Sequence, residues 1–303
     1  MRFLIFNFFL LSTLISQLNI SGQTQLGLGK SKNSFDYTEH RLGLNLDWNQ
    51  WNGWLEFEYA KPPELGRKFI GLRKFRLEYL NKNVTVKVGD IYEYWGRGLI
   101  LNMIDDQSID LDNGIKGGLF NWSDDSFGFE VLAGKQNIWR VSNQVPNFND
   151  RVPNYKINNS IYGGRTMLSL EKLSGSLQLL NIVEDHLDPT LNTNKNINHQ
   201  LMGFDINYFG NFFDLGIDYV KKDNNSYGIF SIVNLYIGSW AIGFAYKNYN
   251  FSKRSPFSRW DFVNNTTGAT ILQQMPTAFN EHSTTLLGKI THIMDYNDNL
   301  GFN

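Results

Sequence analysis

Residues 41–48 read Arg-Leu-Gly-Leu-Asn-Leu-Asp-Trp, apolar at every second position. The same period of two returns along the chain. Leu55, Phe57 and Tyr59 oppose Glu56 and Glu58; Phe75, Leu77 and Tyr79 oppose Lys74, Arg76 and Glu78; Val84, Val86 and Val88 oppose Thr85 and Lys87. Further on come Phe127, Phe129 and Val131; Phe204, Ile206 and Tyr208; Phe213, Leu215, Ile217 and Tyr219; Trp240, Ile242, Phe244 and Tyr246. Successive side chains of a strand point to opposite faces, so each stretch is a strand with one apolar and one polar face.

A sandwich alternates too, and the connections separate the two possibilities. Short turns are expected at Asn49-Gln50, Asn81-Lys82, Ser123 to Ser126, Ser174-Gly175, Gly210-Asn211, Gly238-Ser239 and Asn297-Asp298. Between them lie polar connections that are mostly longer, among them Gly89 to Asn113, Gln136 to Ser160 and Asn248 to His282. Outer-membrane barrels alternate short periplasmic turns with longer external loops. The strands are also near the roughly 9–11 residues that cross a bilayer at a tilt. Trp48, Trp51, Trp54, Tyr236 and Trp240 flank short turns, as an interfacial aromatic girdle would. The expected fold is all-β: an antiparallel transmembrane β-barrel of the outer-membrane type with 14 or more strands.

Met1-Arg2, the apolar run from Phe3 to Ile15 and the small residues Ser21-Gly22 make residues 1–22 a signal peptide. Residues 23–303 then form one domain. Counting loop–turn pairs brings the chain through fourteen strands into a partial fifteenth at Asn299 to Asn303, which predicts a chain truncated at its C-terminus. There is no cysteine, hence no disulfide or thiol chemistry. A net charge of -1 argues against a nucleic-acid partner, and the expected surroundings are outer-membrane lipid, small solutes or envelope proteins.

The polar faces carry charges of both signs: Arg41, Asp47, Glu56, Glu58, Lys74, Arg76, Glu78, Lys87, Glu130, Arg165, Glu171, Asp205, Asp214, Asp218, Lys247 and Lys289. In a wide barrel they face water, and their mixed sign predicts a partly self-paired lumen. The five histidines have no metal-ligand spacing, so neither metal nor cofactor is expected. No catalytic set is assigned; a rim hydrolase would have to combine Asp105-Asp106 with His186 or His282.

One stretch departs from the rhythm. After the strand Val84 to Val88 come Gly89-Asp90 and then Tyr92, Glu93, Tyr94 and Trp95, followed by Gly96-Arg97-Gly98 and Leu99-Ile100-Leu101. Alternation is lost, and the glycines permit the chain to fold back. Glu93 and Arg97 stand about 13 Å apart if extended and can meet only in a folded segment. Two readings follow: Ile91 to Leu101 turns into the barrel as a constriction with Glu93 and Arg97 in the channel, or GRGLIL is another strand with a bulge. In the first, acids for Arg97 are sought among Glu93, Glu56 and Glu58.

Gly89, Asp90, Tyr92, Glu93, Gly96, Gly98 and Leu99, followed by Asp112, Asn113, Gly117 and Gly118, resemble the signature of a family of uncharacterised outer-membrane β-barrel proteins. The resemblance implies an outer-membrane barrel longer than this chain and supplies no catalytic residues. The expected function is a porin-like channel or passive transporter without enzymatic activity. The alternatives are a non-conducting barrel that anchors an envelope complex, or the rim hydrolase.

Overall fold

The structure, a computed structural model, describes residues 18–30, 36–61, 68–106, 111–140, 155–188, 193–223, 226–251 and 298–302. Every regular element among them is a β-strand. In chain order these are β1 (Leu18–Lys30), β2 (Asp36–Trp48), β3 (Trp51–Ala60), β4 (Phe69–Leu80), β5 (Val84–Ile91), β6 (Tyr94–Trp95), β7 (Leu101–Asn102), β8 (Asp105–Asp106) and β9 (Leu111–Asp112). There follow β10 (Ile115–Ser123), β11 (Phe127–Arg140), β12 (Tyr155–Ser169), β13 (Leu173–Asp188), β14 (Thr193–Phe209), β15 (Phe213–Lys222), β16 (Ser226–Ile237), β17 (Trp240–Asn250) and β18 (Asp298–Phe302).

A 14-stranded sheet takes the order β1-β2-β3-β4-β5-β10-β11-β12-β13-β14-β15-β16-β17-β18, while β6-β7 and β8-β9 make two small sheets of their own. The order has two ends, so the described sheet is not closed. β1 begins at Leu18, five residues inside the expected signal peptide. β18 pairs directly with β17, Tyr246 opposite Phe302, and is thereby the fourteenth strand of the main sheet rather than a fifteenth. The strand expected before it, with Lys289, lies outside the described residues. The turn expected at Ser174-Gly175 falls at Glu171-Lys172 instead, and both expected turn residues pair within the β13–β14 ladder.

The chain forms two compact units. Unit 1 holds Met1–Ile91, Gly118–Phe120 and Trp139–Tyr155. Its β2–β3 turn is tight, with Asn49 at φ 53, a conformation that asparagine tolerates. The β3–β4 register shifts between Glu56 and Phe57, leaving Arg73 as the extra residue of a bulge. Arg73 and Lys74 both turn to the polar face as a result. Arg73 bridges Glu56 at 2.8 Å and Glu58 at 3.0 Å; Glu78 lies 3.7 Å from both Arg76 and Lys87; and Arg41 meets Glu39 at 3.3 Å. Trp54 lies on this same face, with Lys74 at 5.9 Å and Arg76 at 5.4 Å from its ring. It therefore does not join the girdle expected of it, because it has the parity of Glu56 while Trp51 has that of Phe57. Trp51 instead packs on Tyr79 across the strand pair, at 5.1 Å.

Unit 2 holds Tyr92–Gly117, Asn121–Ile138 and Lys156–Asn303. One face of its strands buries Glu130, Gln136, Asn159, Gln178, His199, Asp205, Asp218, Lys222 and Lys247. Interleaved with them on that face are Leu132, Ile161, Leu180, Leu201, Val220 and Phe230. The opposite face exposes Phe129, Val131, Leu179, Met202, Ile206, Phe213, Ile242 and Phe244, with Leu177 at 67%. This inverts the usual arrangement of a protein in water, where contiguous exposed apolar patches are small.

The exposed stripe has a defined height. On β14 it runs Tyr208, Ile206, Phe204, Met202 and ends at Gln200; on β13, Leu173, Gly175, Leu177, Leu179 and then Asn181. These residues face one another pair by pair in the β13–β14 register. β17 repeats the count with Trp240, Ile242, Phe244 and Tyr246 before Asn248. Seven residues span about 20 Å along a strand. β13 has 16 residues and β14 17, so both run well past the stripe, β14 through Asn198, Asn196 and Asn194.

Candidate functional site

The main sheet passes from β5 straight to β10, and β6-β7 and β8-β9, in the described residues between them, lie outside it as two small hairpins. GRGLIL is accordingly not another strand of the main sheet. Trp95 pairs with Leu101 and Tyr94 with Asn102, closed by Gly98 N–H donating to Trp95 O at 3.0 Å. Gly96 at φ 57 and Gly98 at φ 89 occupy the left-handed region, which carries no Cβ penalty for glycine. This turn points Trp95, Arg97 and Ile100 at the polar face of unit 2.

Three sets of contacts hold the segment there. Trp95 is fully buried, and its Nε1–H donates to Glu130 Oε1 at 2.6 Å. The other oxygen of Glu130 accepts from Asn121 at 3.1 Å and Arg165 at 3.2 Å, while the Arg165 guanidinium covers the Trp95 ring at 5.7 Å. One carboxylate thus fixes an indole, an amide and a guanidinium.

The second set centres on Arg97. Its backbone N–H donates to Asp218 Oδ2 at 2.5 Å, its Nη2 donates to Asn207 Oδ1 at 3.0 Å, and its Nε stands 3.9 Å from Asp218 Oδ1. Asp205 is the direct cross-strand partner of Asp218 and accepts from Ser176 and, at 2.5 Å, from Gln178. Asp218, the carboxylate that meets Arg97, thus has a second carboxylate directly beside it. Burial, and then the Asp218 charge, push the neighbouring Tyr94 phenol above its ordinary value, with Arg97 acting in the opposite sense.

The third set closes the segment. Tyr92 donates to Asp112 at 2.8 Å; Asn113 accepts from Ile104 N–H at 2.5 Å and donates to Asn102 O at 2.8 Å; Gln136 donates to Asn113 O; Asn159 donates to Gln136 at 2.7 Å. Between these polar anchors Leu99, Ile100, Leu101 and Met103 are buried. Gly203 makes room for Ile100: a Cβ there would come within 2.6 Å of Ile100 Cδ1.

Of the residues singled out in the sequence, Tyr92, Glu93, Tyr94, Trp95 and Arg97 all lie in this segment, with Tyr94 half exposed and the Arg97 side chain 35% exposed. Glu93 contributes its backbone, accepting from Met103 N–H at 2.9 Å. The acid that meets Arg97 is Asp218, not Glu93, Glu56 or Glu58; the last two serve Arg73 in unit 1. Lys74, Arg76, Glu78 and Lys87 line the polar face of that same unit. Gly89 belongs to it too: at φ 114, a Cβ there would strike Phe75 O. Sequence reading missed Asn207, Gln178, Asn121, Gln136 and Asn159, which are neutral amides. The one signal for Asn207, Gln136 and Asn159 was their parity with Asp205, Glu130 and Arg165 on their own strands. Asp105 pairs with Asp112 across β8–β9, and His282 lies outside the described residues. Among the described residues no group of three His, Asp or Glu side chains is arranged to hold a metal.

The chain is similar to several solved outer-membrane proteins over part of its length. The in-vitro folded OmpT of Vibrio cholerae is 10% identical, with TM-score 0.35, over 77% of this chain and 88% of its own. Salmonella typhi OmpF, in complex with daunomycin, is 12% identical, with TM-score 0.38, over 83% and 92%. An anion-selective porin from Comamonas acidovorans is 9% identical, with TM-score 0.42, over 78% and 90%. No curated protein matches the sequence. A family model does match it, over residues 23–297, and the chain with its inserted segment belongs to that family of unknown function, DUF6029.

Proposed function

We propose that this chain is an outer-membrane β-barrel acting as a porin-like passive channel, with the segment of β6 to β9 as its constriction. The observation that carries the reading is the inserted segment itself. It is fixed to the polar face of unit 2 at the height where the opposite face is most apolar. Asp205 lies between Phe204 and Ile206, Asp218 between Ile217 and Tyr219, and Gly203 between Met202 and Phe204. An apolar stripe outside and charged groups inside suit a sheet with lipid on one side and water on the other. Closure into a barrel removes the two free edges, whose backbone groups are costly in lipid. The leader directs export, solutes pass by diffusion, and the wall performs no chemistry.

Charges fixed at a narrow point filter ions far more than charges on a wide wall. The Arg97→Ala channel therefore gains cation preference and changes its conductance, because Asp218, with Asp205 beside it, loses its guanidinium. Single-channel recording of the purified chain in planar bilayers tests both points. A parent without conductance overturns the channel. Parental size and ion preference in both Arg97→Ala and Glu93→Ala overturn the constriction.

One observation favours a non-conducting barrel that anchors an envelope complex: the three separate sets of contacts tie the segment down as a plug would. The same recording decides between the two.

A further inference from the structure

We propose that Gly216 is a positioning residue: it is a notch in the wall that lets the Arg97 guanidinium lie flat, and so sets the charge that a passing ion meets. The proposal rests on the channel reading for its consequence and on packing alone for its geometry. A Cβ built at Gly216 would overlap Arg97 Nη2 and come within 3.0 Å of Arg97 Cζ and 3.1 Å of Asn207 Oδ1. Gly216 is buried on β15 and is not among the glycines with positive φ, so its backbone tolerates any residue. The absent side chain is needed for space.

The neighbouring glycine shows what a purely structural position looks like. At Gly203 a Cβ would strike Tyr219 O, a backbone atom that cannot step aside. At Gly216 the obstacle is the end of a long, flexible side chain, already 35% exposed on its open side. An alanine at 216 leaves the strand in place and pushes the guanidinium off the wall. The contact with Asn207 Oδ1, 3.0 Å in the parent, is then lost, and the cation moves away from Asp218 toward the open side. Separated from the Asp218 carboxylate, it repels cations more and occupies more of the passage.

The test is a double-mutant cycle on the full chain: parent, Gly216→Ala, Arg97→Gln and the double variant. Reversal potentials under a salt gradient and unitary conductance are recorded in planar bilayers, and denaturant midpoints in lipid vesicles. Gly216→Ala is expected to shift the reversal potential toward anion preference and to lower conductance. In the Arg97→Gln background it should shift neither. The midpoints should be non-additive, since alanine has no guanidinium to displace once Arg97 is gone. A Gly216→Ala channel identical to the parent, or a shift that persists in the Arg97→Gln background, overturns the proposal. If the parent does not conduct, the channel reading falls by itself. The midpoints still decide the notch: additive effects reject it.

Discussion

At the scale of single residues, Trp95 shows how the segment is tied to the wall. Its indole N–H satisfies Glu130, and its ring lies under Arg165. Replacing it with Phe keeps most of the buried area but removes the donor, at a cost of about 1–3 kcal/mol for the carboxylate oxygen left without it. Trp95→Ala also opens a cavity and costs about 3–5 kcal/mol. Urea unfolding of the refolded variants, followed by far-UV circular dichroism, should rank them in that order; equal midpoints for Phe and parent would mean the hydrogen bond is idle. Asp124 makes a different kind of residue-scale prediction, in the turn between β10 and β11. The N–H groups of Phe127 and Ser126, at 2.7 and 2.9 Å, hold its carboxyl below the ordinary carboxylate range. A lowered folded-state value means the turn prefers the charged form. Its contribution is complete above the unfolded value of about 3.9 and fades as pH falls through the lower folded value. Asp124→Asn should therefore flatten that part of the acid-unfolding curve and leave the curve above about pH 5 parallel to the parent's.

At the scale of elements, the inserted segment supplies apolar cover as well as polar anchors. Leu99, Ile100 and Leu101 are buried in the unit whose polar face also carries Leu132, Leu180 and Leu201. In the proposed channel, changing all three segment residues to Ser is expected to detach the hairpin, widen the passage and raise unitary conductance while the main sheet still forms; unchanged conductance with a folded sheet would show that the segment stays put without them. Alternation had marked out the long strands because the period of two is local. Lengths were harder: β13 starts at Leu173, where Ser174-Gly175 looked like a turn, since small residues are as welcome in a close strand pair as in a bend. Arg73 was invisible because a bulge moves one residue across faces without a sequence mark. The departure of the segment from the main sheet was legible from the broken alternation and the glycine pair. Its anchors were not: Asp218 is 121 residues from Arg97, and such a pairing is a property of the folded sheet, not of any window along the chain.

For the whole molecule, the inverted faces set the environment in which it is stable. A charge placed on the stripe should be far more costly than the same charge beyond it. Leu177→Arg is expected to cost about 2–4 kcal/mol in vesicles, and Asn198→Arg about 0–1. Equal costs would remove the membrane from the account. Strands that outrun the stripe have a further consequence, clearest in electrical language. In the proposed channel, β13 and β14 carry the wall past the stripe as paired backbone, so an ion on its way to Arg97 first travels along a vestibule that bears His199 and Glu184. Vestibule and constriction are then two resistors in series. The narrower one governs the current at high salt, when both are full of carriers; the outer one governs how often a dilute ion arrives. Glu184, opposite Ile197 on the polar face past the stripe, stands on that vestibule, and Glu184→Gln should accordingly alter the slope of current against concentration at low salt and leave the saturating current alone. Gly216→Ala should do the reverse.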